Sequence, residues 1–119
     1  VVFFHLSNGL ILALWPQQEL ARDAHLPTPP SGGPAFSLAH NVRSKEEVDQ
    51  ILAQAQAAGA TIPDPARDRF WGGYSGYFQD PDGHLWEVIW HPGRAPGPAT
   101  TPDASGNRSQ EPPAVGSDA

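Results

Sequence analysis

Residues 72–90 read GGYSGYFQDPDGHLWEVIW, and the fold turns on how this stretch is read. At its centre, Asp80-Pro81-Asp82-Gly83 is a turn with a mechanism. Pro81 pre-sets φ, the aspartates can accept from nearby backbone N–H groups, and Gly83 tolerates positive φ. Aromatic and β-branched residues flank the turn, which predicts strands over residues 74–79 and 84–90. Alternation along the second strand sets Leu85, Glu87 and Ile89 on one face and Trp86, Val88 and Trp90 on the other. Glu87 is thus a carboxylate between two aliphatic residues on a face expected to be partly enclosed. It is the one polar placement in the sequence that asks for an explanation.

Upstream of this hairpin, residues 35–42 (AFSLAHNV) predict a strand, and Ser44 with Glu47 forms a capping box at the start of a helix over residues 45–58. Val48, Ile51, Leu52 and Ala55 fall at helical spacing as a narrow apolar stripe, and Gly59 closes the helix as a C′ glycine. Residues 60–63 predict a short strand and residues 64–69 a polar loop. At the start of the chain, residues 1–6 (VVFFHL) and 10–15 (LILALW) are β-prone runs joined by Ser7-Asn8-Gly9, with Asn8-Gly9 suited to a type I′ turn. Pro16 ends the second run, residues 17–24 (QQELARDA) predict at most two turns of helix, and the four prolines and two glycines of residues 25–34 mark a loop between two halves. Four segments follow: residues 1–15, a connection over 16–34, a second unit over 35–91, and a Pro/Gly/Ala-rich tail over 92–119. That tail holds Val115 as its only large aliphatic residue and is expected to be disordered.

The bulk composition narrows the field. The chain has 119 residues, room for one domain with a real core. It has no cysteine, which excludes disulfides, thiolate metal sites and thiol catalysis. The formal net charge of −6 argues against nucleic acid or an anionic membrane as partner. No apolar run approaches the ~20 residues that span a bilayer, and no basic n-region precedes VVFFHL. The expectation is a cytoplasmic protein. Phosphate-binding glycine loops, HExxH and GxSxG are absent from the sequence. So is methionine, even at position 1, and the chain opens directly on a strand-like run, as a fragment or processed chain would.

The package DPDGHLWEV, preceded by FWGGYSGYF, resembles the closing strands of the vicinal oxygen chelate superfamily, the glyoxalase, bleomycin-resistance and extradiol dioxygenase relatives. The resemblance implies an α+β fold of paired βαβββ modules forming a curved sheet around a cavity. Residues 35–90 match a complete second module. Residues 1–15 match only the last two strands of the first, with Gly9-Leu10-Ile11-Leu12-Ala13-Leu14 set against Gly83-His84-Leu85-Trp86-Glu87-Val88.

Metal-binding members of the superfamily take up to four ligands, one each from the first and last strands of both modules. Oxygen and imidazole ligands there suit Zn, Ni, Fe or Mn. Carried over by position, Glu87 matches the glutamate of the last strand. Ala13 stands at its equivalent in module one, and Ser37 stands where the first strand of module two would carry histidine. Neither supplies the usual ligand, and the fourth position falls in the absent segment. His40 is the alternative metal residue if the register slips by one; otherwise it packs between sheet and helix. Glu87 either contacts a ligand directly or pairs with Arg67 or Arg69. Trp71 and Tyr74, beside Gly72-Gly73, either stack on a ligand or form a core-and-turn segment. The resemblance thus implies a small-molecule-binding protein without a complete metal site and without a cofactor, set against a metal-dependent lyase, isomerase or dioxygenase completed by the absent segment or a dimer mate. A homodimer is expected, since the missing strands leave an apolar sheet edge as a pairing template.

Overall fold

The computed structural model describes residues 1–28 and 32–94, so nearly all of the expected tail lies outside the described residues. The chain forms an α+β fold in two sheets. Strands β1 (Val2–His5) and β2 (Ile11–Leu14) pair antiparallel as a separate hairpin. Asn8 (φ 60°) and Gly9 (φ 74°) both take the left-handed conformation that the Asn-Gly signal implies. Leu6 N–H donates to Leu10 O (2.8 Å), so three residues rather than two make the connection.

Pro16 then caps a short helix, α1 (Gln17–Asp23), whose end is held by Leu26 N–H to Ala21 O and His25 N–H to Arg22 O. These are the two bonds of a Schellman motif, and they force the residue beyond the cap into positive φ. Here that residue is His25 (φ 55°) rather than a glycine. The second helix, α2 (Lys45–Ala57), ends in the same motif with the expected residue, Gly59 (φ 107°), and with bonds from Ala60 N–H to Ala55 O and Gly59 N–H to Gln56 O.

The remaining strands are β3 (Ser37–Val42), β4 (Thr61–Asp68), β5 (Tyr74–Gln79) and β6 (Leu85–Trp90), in the order β3-β6-β5-β4. β3 runs parallel to β6 and the other pairs are antiparallel. With α2 between β3 and β4, this is the complete βαβββ unit. The start of α2 departs from the expected reciprocal box in one bond. Ser44 Oγ accepts from Glu47 N–H (3.1 Å), but Glu47 reaches one residue further back, to Arg43 N–H (2.9 Å).

Residues 64–69, expected to be a loop, belong mostly to β4. The prolines misled the reading. β4 is an edge strand with register shifts on either side of Asp64, so Pro63 and Pro65 remove no ladder bond that a neighbour needs.

Apolar side chains pack on both faces of the four-stranded sheet, and one of the two clusters lies under α2. Val48 and Leu52 of α2 pack on Val42 and Val88, with Ile51, Ile62 and Ala66 around them. Gly76 makes this approach possible. A Cβ there would stand 2.7 Å from both the Ala66 backbone nitrogen and Leu52 Cδ1, so β4 and α2 close over β5 only because the side chain is absent. No helix among the described residues is long and apolar enough to cross a membrane.

Candidate functional site

The other face of the same sheet is built differently. The β6 register sets Glu87 between Ala39 of β3 and Tyr77 of β5, while Leu85 and Ile89 continue the row. Helix α1 covers this inner face. Leu20 and Ala24 pack on Tyr77 and Leu85, joined by Trp15 and Leu26. Space that would otherwise open onto Tyr77 is therefore filled by the chain's own helix.

Beneath α1 lies a buried polar network centred on Arg69, whose side chain is 2% exposed. Its Nη2 donates to Asp64 Oδ2 (2.8 Å) and to Ser75 O (3.0 Å), and its Nε donates to Ser75 Oγ (2.8 Å). Asp64, equally buried, also faces His25 Nδ1 (3.2 Å) and Arg67 Nε (3.4 Å). From α1, Asp23 Oδ2 accepts from the Tyr77 hydroxyl (2.6 Å) and Asp23 Oδ1 lies 3.7 Å from Arg69 Nη1. A buried charge is tolerable only when paired and hydrogen-bonded, and Arg69 supplies both for Asp64.

Glu87 sits at the rim of this network. Burial pushes its carboxyl up to about 7, and the charge of Asp23 adds to the effect. Hydrogen bonding from Ser75, the Arg69 charge and Tyr77 pull the other way without cancelling it. The Tyr77 hydroxyl is driven well above its ordinary range, first by burial, then by the Glu87 charge and the bond to Asp23. The inner face thus offers a carboxyl that exchanges its proton near neutrality beside a phenol that stays protonated.

The residues singled out from sequence do not all meet here. Ser37 shares the Glu87 face, two residues along β3 from Ala39, but Ala39 is the residue directly beside Glu87. Ala13 belongs to the separate hairpin, paired with Phe3. His40 pairs with Val88 on the α2 face; the strand does not slip, so His40 and Glu87 point to opposite sides. Tyr74 also belongs to the α2 face, where its hydroxyl donates to Asp49 (2.6 Å) and its ring lies under Lys45 Nζ at 5.5 Å. That bond to Asp49 pushes the Tyr74 hydroxyl up to about 12. Trp71 stacks on His91 with ring centroids 5.5 Å apart and folds across Gly73, where a methyl group would collide with its ring. The close approach at Gly73 is made by Trp71 itself. Sequence reading missed Asp23, His25 and the partnership of Asp64 with Arg69. The signal for α1 was too short to suggest that it would cover the sheet.

The donors around Glu87 do not fit a divalent metal. Its β3 neighbour is alanine, and the guanidinium of Arg69 brings a competing positive charge. The one group of three acidic or imidazole ligands among the described residues is Asp80, Asp82 and His84, in the β5–β6 turn. There Asp80 accepts from the backbone N–H groups of Asp82 (3.0 Å) and His84 (2.9 Å) and from Trp86 Nε1 (3.2 Å), a turn lock that already occupies its oxygens.

The family model of the Glyoxalase/Bleomycin resistance protein/Dioxygenase superfamily matches residues 14–88, well over half of the chain. The chain belongs to this superfamily. Among solved structures, a glyoxalase-related enzyme from Fulvimarina pelagi is 39% identical over 76% of this chain and 63% of its own, with a TM-score of 0.49. A glyoxalase/bleomycin resistance protein/dioxygenase from Nocardioides is 29% identical over 80% of this chain and 65% of its own (TM-score 0.47). A protein from Legionella pneumophila described as an NAD-dependent benzaldehyde dehydrogenase is 31% identical over 74% of this chain and 68% of its own (TM-score 0.55). The present superfamily member thus spans less than two thirds of the Fulvimarina and Nocardioides proteins. No curated protein matches the chain.

Proposed function

We propose that this superfamily member binds a small organic ligand against the inner face of its βαβββ sheet, and does so without a complete metal site. The observation that carries the reading is the company Glu87 keeps: Ser75, Tyr77, Arg69 and Asp23, which are hydrogen-bonding groups and a cation rather than imidazoles. Convergent polar groups set among apolar side chains, here Leu85 and Ile89, are what orients a small molecule in a pocket. Ala13 and Ser37, which the resemblance sets at two of the metal-ligand positions, support the same reading.

The competing reading is a metal-dependent lyase, isomerase or dioxygenase completed by further sequence or a second copy. Metal analysis separates the two. The purified chain should carry no stoichiometric transition metal, and added Ni, Zn or Mn should not raise its melting temperature beyond nonspecific binding, because stabilisation tracks affinity for the folded state. Near-stoichiometric metal that is lost on Glu87→Gln would overturn the binding-module reading.

The proposal includes a homodimer. The β1–β2 hairpin is apolar on both faces, with Val2, Phe4, Leu12 and Leu14 exposed on one side and Phe3 on the other. A second copy of this chain would supply the apolar cover that such a two-sided ribbon lacks. Sedimentation as a clean monomer at high concentration would remove this part.

A further inference from the structure

Arg69 Nη1 is a buried donor with no hydrogen-bond partner among the described residues. Every other nitrogen of that guanidinium is engaged, and the side chain is 2% exposed. The carboxylate oxygen facing Nη1 is Asp23 Oδ1, and at 3.7 Å it stops short of a hydrogen bond. The other oxygen of Asp23 is fully engaged by the Tyr77 hydroxyl at 2.6 Å. One carboxylate therefore straddles two donors held by the sheet, satisfying one and missing the other.

Resting on the reading that the inner face binds a small organic ligand, we propose that Arg69 Nη1 and the Tyr77 hydroxyl form a carboxylate-recognition subsite that Asp23 of α1 occupies in this conformation, and that an organic monocarboxylate binds by taking the place of Asp23. Arginine paired with a second donor is suited to the two oxygens of a carboxylate. Asp23 cannot close the remaining gap because its backbone is fixed by the packing of Leu20 and Ala24 on Tyr77 and Leu85. A free carboxylate has no such tether and can complete both bonds.

Charge makes the event an exchange rather than an addition. Arg69 already faces Asp64 and Asp23, with Glu87 nearby, so a further anion beside them would be repelled. Replacing Asp23 by a ligand carboxylate leaves the balance unchanged. The apolar surface that Leu20 and Ala24 now cover, Leu85 and the Tyr77 ring, then receives the body of the ligand, which selects an aryl or alkyl acid.

Helix α1 is suited to leave. Its seven residues are too few to be stable alone, its Asp23 side chain is 30% exposed, and its end is held in positive φ by a histidine, a conformation that costs a non-glycine residue energy. Beyond the helix end, His25 Nδ1 stands 3.2 Å from Asp64 Oδ1.

The test titrates benzoate and its neutral isostere benzamide into the full chain and into Asp23→Ala, read by amide chemical shifts. Removing the internal competitor should tighten benzoate at least tenfold and leave benzamide unchanged. Adding Tyr77→Phe to Asp23→Ala should abolish most of that gain. Should Asp23→Ala fold poorly, Asp23→Asn serves in its place. In the unaltered chain, saturating benzoate should also speed hydrogen exchange at Leu20, Ala21 and Ala24, which mark the release of α1. Equal benzoate affinity with and without Asp23, or benzamide binding as tightly as benzoate, would overturn the carboxylate subsite while leaving a ligand-binding inner face intact. If no probe binds to any variant, both readings fall.

Discussion

The two faces of the four-stranded sheet are made from the same strands and do opposite things. On β6, Val88 is fully buried under α2 among Val42, Val48 and Leu52, while its neighbour Glu87 turns to the side where α1, Arg69 and Tyr77 meet. The α2 face is held mainly by non-directional apolar contact among Val42, Val48, Leu52 and Val88. The α1 face is held by a buried cation with its carboxylates, which adds little net stability but leaves directional groups and one unmade hydrogen bond. Apolar packing and buried polar pairing are thereby divided between alternate residues of one strand.

The largest test of this division is Arg69→Met. It strands Asp64 as a buried charge with, among the described residues, Arg67 and His25 to answer it, and should cost about 3–5 kcal/mol in urea denaturation. Adding Asp64→Leu should recover much of the loss. A cost below ~1 kcal/mol would mean that the inner face is not organised by Arg69.

On the opposite face, Leu52→Ala should cost about 2–5 kcal/mol, and Ile51→Ala, being only half-buried, less. Because the groups of the proposed ligand site stand on the other face, Leu52→Ala should weaken ligand binding only as far as it unfolds the chain. Lost binding by a still-folded Leu52→Ala protein would break the separation of the faces. A smaller effect is expected from Ser44→Ala, about 1 kcal/mol, since it removes the cap on the Glu47 N–H at the start of α2.

The effect that is smallest in acid, and the sharpest in sign, belongs to Glu87→Gln. Glu87 titrates near 7 in the folded chain against an ordinary value of 4.5, with Asp23 of α1, Tyr77 of β5 and Arg69 at the end of β4 as its charged or titratable neighbours. Below the unfolded value both states hold the proton, and the favourable contribution of the neutral group is fully present. It is lost as pH rises from about 4.5 through about 7, where only the folded state still binds the proton. Glu87→Gln should flatten that decline, leaving stability near wild type in acid and higher above neutrality. Thermal melts across the range would show it, and an unchanged pH slope would mean that Glu87 is solvated rather than enclosed.

What was legible in the sequence follows from how local each signal is. Ser44 at the start of α2, the Val48/Leu52 stripe and Gly59 at its end are written within one helix, so their reading needs nothing else. The turn at Asp80–Gly83 and the alternation that isolates Glu87 are equally local, because the period of a strand is built into its backbone. The second half of β4, beyond residues 60–63, was hidden by Pro63 and Pro65, which are harmless only because β4 is an edge.

The sequence alone determined helix α2, the closing hairpin and the face on which Glu87 stands, and it carried the motif by which the superfamily is resembled, since each depends on residues a few positions apart. Tertiary structure decided what surrounds Glu87. Asp23 meets Tyr77 across 54 positions of chain, His25 closes a helix that carried no glycine to announce its end, and Asp64 finds Arg69 where a strand continues through residues that read as a loop. A buried charge is specified by its partner in space rather than by its neighbours in sequence, so its pairing becomes visible only when the chain has folded.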